Sequence, residues 1–228
     1  MKRLGVLGGM GPAASAEFLV RLTEQTPAGC DQEHIPVVVW SDPTVPDRST
    51  SLINQDDQPW PKLCQGMLGL KAAECDHIVI PCNTAHFWYD RMMEFGIPIT
   101  HIVDSVADEL KSQNIKGTIG ILGTRATMRL GLYDQRLTAM GWDCITPTVE
   151  EIENYVQPGI DLIKANQFKI AHGLFVTVIE SLINRGASAI ILGCTEIPLV
   201  VKETQYHSIS LINSIDSLVK STINKFKG

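Results

Sequence analysis

Asp76-His77-Ile78-Val79-Ile80-Pro81-Cys82-Asn83-Thr84 and Ser188-Ala189-Ile190-Ile191-Leu192-Gly193-Cys194-Thr195-Glu196 decide the fold of this 228-residue chain. Each is a short apolar run that closes on Pro or Gly, then a cysteine, then polar residues. The two cysteines stand 112 residues apart. A second pair, Gly5-Val6-Leu7-Gly8-Gly9 and Gly120-Ile121-Leu122-Gly123-Thr124, recurs at a separation of 115. Self-similarity at nearly one separation reads as an internal duplication.

Around these segments, β-rich apolar runs at 3–7, 36–40, 77–80, 97–102, 118–122 and 189–192 alternate with amphipathic stretches at 14–23, 63–73, 103–111, 127–139 and 171–184. That alternation predicts an α/β fold of parallel sheets with helices on both faces. The duplication divides it into two pseudo-symmetric domains. Residues 1–102, with 209–228 returning to them, carry Cys82, and residues 103–208 carry Cys194. In such sheets ligands bind outside the carboxyl ends of the strands. Two halves facing each other about a pseudo-twofold axis would turn both cysteines into one interdomain cleft.

Composition narrows the function. Hydrophobic residues make up 44% and charged residues 19%, enough for a full core. Nineteen Lys and Arg against 25 Asp and Glu give a net charge of −6 with no basic stripe, which argues against a nucleic-acid partner. Lys2-Arg3 and Ala13-Ala14-Ser15-Ala16 imitate a signal peptide, but Gly5, Gly8, Gly9, Gly11 and Pro12 interrupt its apolar centre. No window reaches the roughly 18 to 20 apolar residues of a membrane span, so no membrane partner is expected. The six cysteines lack the short paired spacing of a zinc site, and a chain of this size does not need disulfides. Free thiols in a reducing cytoplasm, without metal, are the expectation.

A cysteine where a strand runs into a helix faces backbone N–H groups whose dipole favours an anion, so its thiolate should be stabilised. One such residue suggests a nucleophile or a redox thiol. Two in equivalent positions suggest one operation performed from two sides. Racemisation requires that arrangement: a base removes the α-proton from one face while an acid returns a proton to the other, and a thiol can exchange the roles. Cys30, Cys64, Cys75 and Cys144 read instead as small buried hydrophobes. A redox disulfide between Cys82 and Cys194 is disfavoured by the absence of any Cys-x-x-Cys spacing. Gly9-x-Gly11-x-x-Ala14 with Asp42 loosely matches a dinucleotide fingerprint. Pro12 lies inside that turn, and the repeat at Gly123 lacks the remaining glycines, so both read as carboxylate-binding turns.

Gly8-Gly9-Met10-Gly11-Pro12, Pro46-Asp47-Arg48, Pro81-Cys82-Asn83-Thr84-Ala85-His86 and Gly193-Cys194-Thr195-Glu196-Ile197-Pro198 resemble the signature blocks of aspartate racemases in the aspartate/glutamate racemase superfamily. The resemblance implies two flavodoxin-like domains, catalysis without pyridoxal phosphate or metal, and a homodimer. It makes Cys82 and Cys194 the acid/base pair. Asn83, Thr84, Thr124 and Thr195 would hold the α-carboxylate, with Met10 and Gly11 in the glycine turn beside it. Arg48 and Lys164 would hold the side-chain carboxylate of a small dicarboxylic amino acid, aspartate before glutamate.

Arg48 also stands on its own, in a proline-broken loop after a strand, where an Arg can grip a carboxylate bidentately. Asp47, His86 and Glu196 are candidate supporting residues. His86 reads as a packed or thiolate-stabilising residue rather than a proton shuttle. Glu196 either orients a group in the site or caps the following helix. Two other readings use the same cleft: a cysteine-dependent decarboxylase or cis–trans isomerase, and a carboxylate-binding protein without catalysis.

Overall fold

The computed structural model describes residues 2–227. They form two compact units, one running to Ser105 and resuming at Ile215, the other spanning Val106–Ser214.

In the first unit β1 (Leu4–Gly8) lies between β2 (Val37–Ser41) and β3 (His77–Val79), all parallel. Every residue of β1 and β3 is buried, as continuous apolar strands covered on both faces must be. α1 (Pro12–Gln25) joins β1 to β2, and its opening proline forfeits only an N–H that has no helical partner. α2 (Arg48–Asn54) and α3 (Trp60–Ala72) lead to β3, and α4 (Tyr89–Met93) follows it. The strand expected at 97–102 is reduced to one parallel bridge between Ile78 and Ile99, because Ile102 already begins α5 (Ile102–Ser112).

The second unit contains a five-stranded sheet. β4 (Thr118–Gly123), β5 (Asp143–Ile145), β6 (Ala189–Gly193) and β8 (Ile209–Asn213) are parallel in the order β5-β4-β6-β8, and β7 (Gln205–Tyr206) adds an antiparallel edge. The helix expected at 127–139 is two pieces, α6 (Arg125–Arg129) and α7 (Asp134–Ala139), separated where Gly131 takes φ +66°. α8 (Val149–Glu151), a π-helical turn over Ile152–Val156 and α9 (Gln157–Lys164) precede α10 (Phe168–Asn184). β8 pairs with β6, so the chain returns to the first unit at Ile215, within α11 (Ser214–Lys227), and not at 209. Arg21 of α1 pairs with Asp216 of α11 at 2.6 Å. No described helix is long and apolar enough to cross a membrane.

The duplication extends to the register. Gly5 faces Ile78 across β1 and β3, and Gly120 faces Ile190 across β4 and β6. A Cβ on Gly5 would lie 3.2 Å from Ile78 and 3.1 Å from Cys75, and one on Gly120 would lie 3.1 Å from Ile190 and 3.3 Å from Ala187. The same strand contact would crowd a side chain in both halves. From β1 the chain goes to β2 on one side and comes back to β3 on the other; β4, β5 and β6 repeat the path. Ligand crevices open at such switch points, at the carboxyl ends.

His77, the first residue of β3, is buried and shares a 2.7 Å hydrogen bond with Thr100. Burial, with smaller contributions from Lys225 and Lys2, lowers its pKa to about 4. The unfolded chain, with an ordinary value near 6.5, binds more protons between these pH values. The stabilisation is therefore whole above about pH 6.5 and is lost as pH falls toward 4, by about 3 kcal/mol. Urea denaturation at pH 7 and at about pH 4.5 should show that loss in the wild type and a shallower one in His77→Gln; parallel losses would contradict the assignment.

Candidate active site

In the first unit, Ile80 and Pro81 follow β3, and the Cys82 N–H donates to the Ile80 carbonyl at 2.7 Å, turning the chain out of the strand. Cys82, Asn83 and Thr84 are buried, and a 3₁₀ turn over Thr84–Trp88 begins at once. Cys82 belongs to the same buried cluster as Met10, after β1, and Val45, after β2. Gly9 takes φ +89°, and a Cβ there would strike the Asp42 backbone at 2.4 Å, so only glycine lets the two loops meet. The Gly9 N–H is taken by Ser15 Oγ at 2.9 Å. Gly11 stands at the N-cap of α1.

His86 is held at both ring nitrogens by the backbone. Nε2 lies 3.2 Å from the Ile102 N–H, which can only donate, so Nε2 accepts. Nδ1, 2.9 Å from the Cys82 carbonyl, must then carry the proton. His86 is a neutral brace between the cysteine loop and the start of α5. His101, with Nδ1 accepting from Val103 N–H, and Tyr89 pack against it, each pair of rings within 6.4 Å.

Asp47 caps α2 by accepting from the Thr50 N–H at 2.8 Å, and Arg48 is the first helical residue. Arg48 Nη1 donates to the carbonyls of Val45 and Pro46, each at 3.1 Å, which fixes the guanidinium. Its Nε is buried and has no hydrogen-bond partner. A buried unsatisfied donor costs roughly 1–3 kcal/mol, more for a charged group, and the Nε edge of a guanidinium fits a carboxylate.

In the second unit Thr124 caps α6, accepting from the Thr127 N–H at 3.2 Å. Cys194 and Thr195, buried, follow β6, and the Ile197 N–H donates to the Cys194 carbonyl at 3.0 Å. The Cys194 thiol donates to Glu196 Oε2 at 3.4 Å, and Glu196, only 8% exposed, makes no capping bond from its side chain although it occupies the N-cap of the next turn. Beneath them lies Tyr133, fully buried, its hydroxyl hydrogen-bonded to Ser214. Ser214 in turn donates to the Leu192 carbonyl at 2.8 Å. Burial pushes the Tyr133 phenol far up, Ser214 opposes this, and negative charge on Cys194 adds to it. Lys164 ends α9 as an exposed residue, next to Ile163 of the buried cluster that includes Cys194.

The first unit thus carries Met10, Gly11, Cys82, Asn83 and Thr84 past the carboxyl ends of β1 and β3, with Arg48 at the start of α2, and the second unit carries Thr124, Cys194, Thr195 and Glu196 past the ends of β4 and β6. Tyr133, Ser214, His101 and Tyr89 were not singled out from sequence. The 112-residue offset was the available signal, since it carries Ile102 onto Ser214 and His101 onto Asn213. Among the other cysteines, Cys75 is buried and burial raises its pKa, while Cys64 and Cys144 are half-buried. Cys144 is pushed up to about 12 by burial and by Asp134 and Asp143. Cys30, expected to be buried, is exposed in the loop before Asp31.

A family model described as Asp/Glu/hydantoin racemase matches residues 7–222. The chain is 28% identical over 229 residues to the broad-specificity amino-acid racemase RacX of Bacillus subtilis strain 168, covering 98% of this chain and 97% of that one. An aspartate racemase of Picrophilus torridus superposes with a TM-score of 0.87 at 29% identity, covering 99% and 94% of the two chains. A glutamate racemase of Francisella tularensis, solved with D-glutamate, shares the fold at a TM-score of 0.75 and 16% identity, covering 99% and 81%.

The hydrogen bonds of His86 predict one tautomer. A two-bond ¹H–¹⁵N spectrum at pH 7 should show His86 protonated at Nδ1 and bare at Nε2; protonation at Nε2 would contradict the bracing role.

Proposed function

The chain belongs to the Asp/Glu/hydantoin racemase family, and from that premise we propose that it interconverts L- and D-aspartate with Cys82 and Cys194 as base and acid. That it is an amino-acid racemase, and so an isomerase, follows from the family. The observation that carries the finer reading is the equivalence of the two thiols: each stands past the end of the strand that pairs with the first strand of its repeat, in the same register.

One thiolate takes the α-proton, leaving the electron pair of the C–H bond on Cα, and the other thiol gives its proton to the opposite face. The charge that develops spreads into the α-carboxylate, so donors fixed around that group lower the barrier. Asn83, Thr84, Thr124 and Thr195 are proposed for this role. Arg48 supports a dicarboxylic substrate, because its buried Nε lacks the oxygen that a side-chain carboxylate would bring. Lys164 is proposed as its helper on the resemblance. The proposal extends to a homodimer working in the cytoplasm, where free thiols stay reduced.

The likeness to a broad-specificity racemase favours a second reading, in which side chains without a carboxylate are accepted. Circular dichroism of L-aspartate, L-glutamate and L-alanine, incubated with reduced enzyme and no added cofactor, separates the two. Aspartate should lose its signal fastest. Arg48→Ala should lower its kcat/KM by roughly 10²- to 10³-fold while changing alanine little. Equal rates for alanine and aspartate, with no loss in Arg48→Ala, would select the broad reading.

A further inference from the structure

We propose that Glu196 is a positioning residue that holds the resting proton on Cys194, so that the free enzyme begins its cycle with Cys194 as the acid and Cys82 as the base. This rests on the two-thiol reading above and adds an order to it.

Three observations carry the proposal. The contact is a thiol donating to a carboxylate at 3.4 Å, both groups buried. Were Cys194 a thiolate there, two anions would touch in a site shielded from water, which favours the protonated sulfur. Next, Glu196 directly precedes the three-residue 3₁₀ turn Ile197–Leu199 with its backbone in the right-handed helical region, and its side chain makes no hydrogen bond to that turn. Its carboxylate serves the sulfur instead. Finally, the 112-residue offset places Thr84 where Glu196 stands, so the first half of the duplication has no acid at that position. Tyr133, which interacts with Cys194 from below, is kept neutral by burial and brings no charge of its own to the sulfur.

The proton balance is closed. The Cys82 thiolate takes the α-proton and Cys194 gives one to the other face, so product leaves an enzyme with a Cys82 thiol and a Cys194 thiolate. That thiolate, next to Glu196, regains a proton from water while Cys82 releases one. No net proton is consumed. Because the two enantiomers have equal free energy, kcat/KM is the same in both directions, and the bias imposed by Glu196 shows in the resting state of the thiols.

Pulsed alkylation with iodoacetamide across a pH series, read peptide by peptide by mass spectrometry, tests this without substrate, since only thiolates react. The pH midpoint is compared, not the rate, which removes differences in access. In the wild type the Cys194 midpoint should lie above that of Cys82. Glu196→Gln should lower the Cys194 midpoint and speed its alkylation at pH 7 by about tenfold or more, with the Cys82 midpoint unmoved; Glu196→Asp should restore part of the difference. Equal or reversed wild-type midpoints, or a Cys194 midpoint indifferent to Glu196→Gln, would overturn the proposal. The wild-type comparison holds even if a variant misfolds. Racemisation that survives loss of either cysteine would instead overturn the function assigned above.

Discussion

Parallel pairing of β1 on β3 and of β4 on β6, in one shared register, is the constraint on which the rest depends. Gly5 against Ile78 and Gly120 against Ile190 would bring a Cβ to 3.2 and 3.1 Å of the facing side chain, a crowded contact at the same height in both halves. Past the strand ends come the turn at Gly9 to Gly11 and, after Ile80 and Pro81, Cys82 in one unit, and Thr124 and Cys194 in the other. Switch-point topology does the remainder, opening each sheet at those ends. The chemistry therefore sits where the backbone path, not any single side chain, makes room for it.

A duplicated backbone gives two equivalent thiols, but a racemase needs an acid and a base at the same moment. Identical surroundings would give both sulfurs the same affinity for a proton. In the reading proposed above, the side chains break the tie. Neutral His86 is bonded to the Cys82 carbonyl and to the head of α5. Glu196 is bonded to the Cys194 sulfur, above a buried Tyr133. In the proposed reaction, likeness in the scaffold offers two thiols and unlikeness in their partners biases which one holds the proton.

Much of this was legible because it is periodic or repeated. Apolar runs buried on both faces announce parallel strands, and the two recurring segments gave the equivalent strands of the two halves. What escaped had weak local signals. β5 is three residues long and partly exposed, and 97–102 forms only a bridge, since Ile102 is claimed by helix α5. The break at Gly131 interrupts a sequence that is otherwise helical in pattern. Cys30 differs from Cys75 only in its loop setting. In the site, cysteines and Arg48 stood out by motif, whereas the tautomer of His86 and the partner of Glu196 depend on which backbone groups fold within reach. Tyr133 meets Cys194 from distant sequence, and no spacing rule foretells that.

The central claim is that each thiol serves one face of the substrate. It is tested most directly by α-proton exchange in D₂O with each enantiomer of aspartate separately, using Cys82→Ala and Cys194→Ala. Each variant should fail to invert configuration and should exchange the α-proton of one enantiomer only, the opposite one for each variant. Inversion by either variant, or exchange of the same enantiomer by both, would contradict the account.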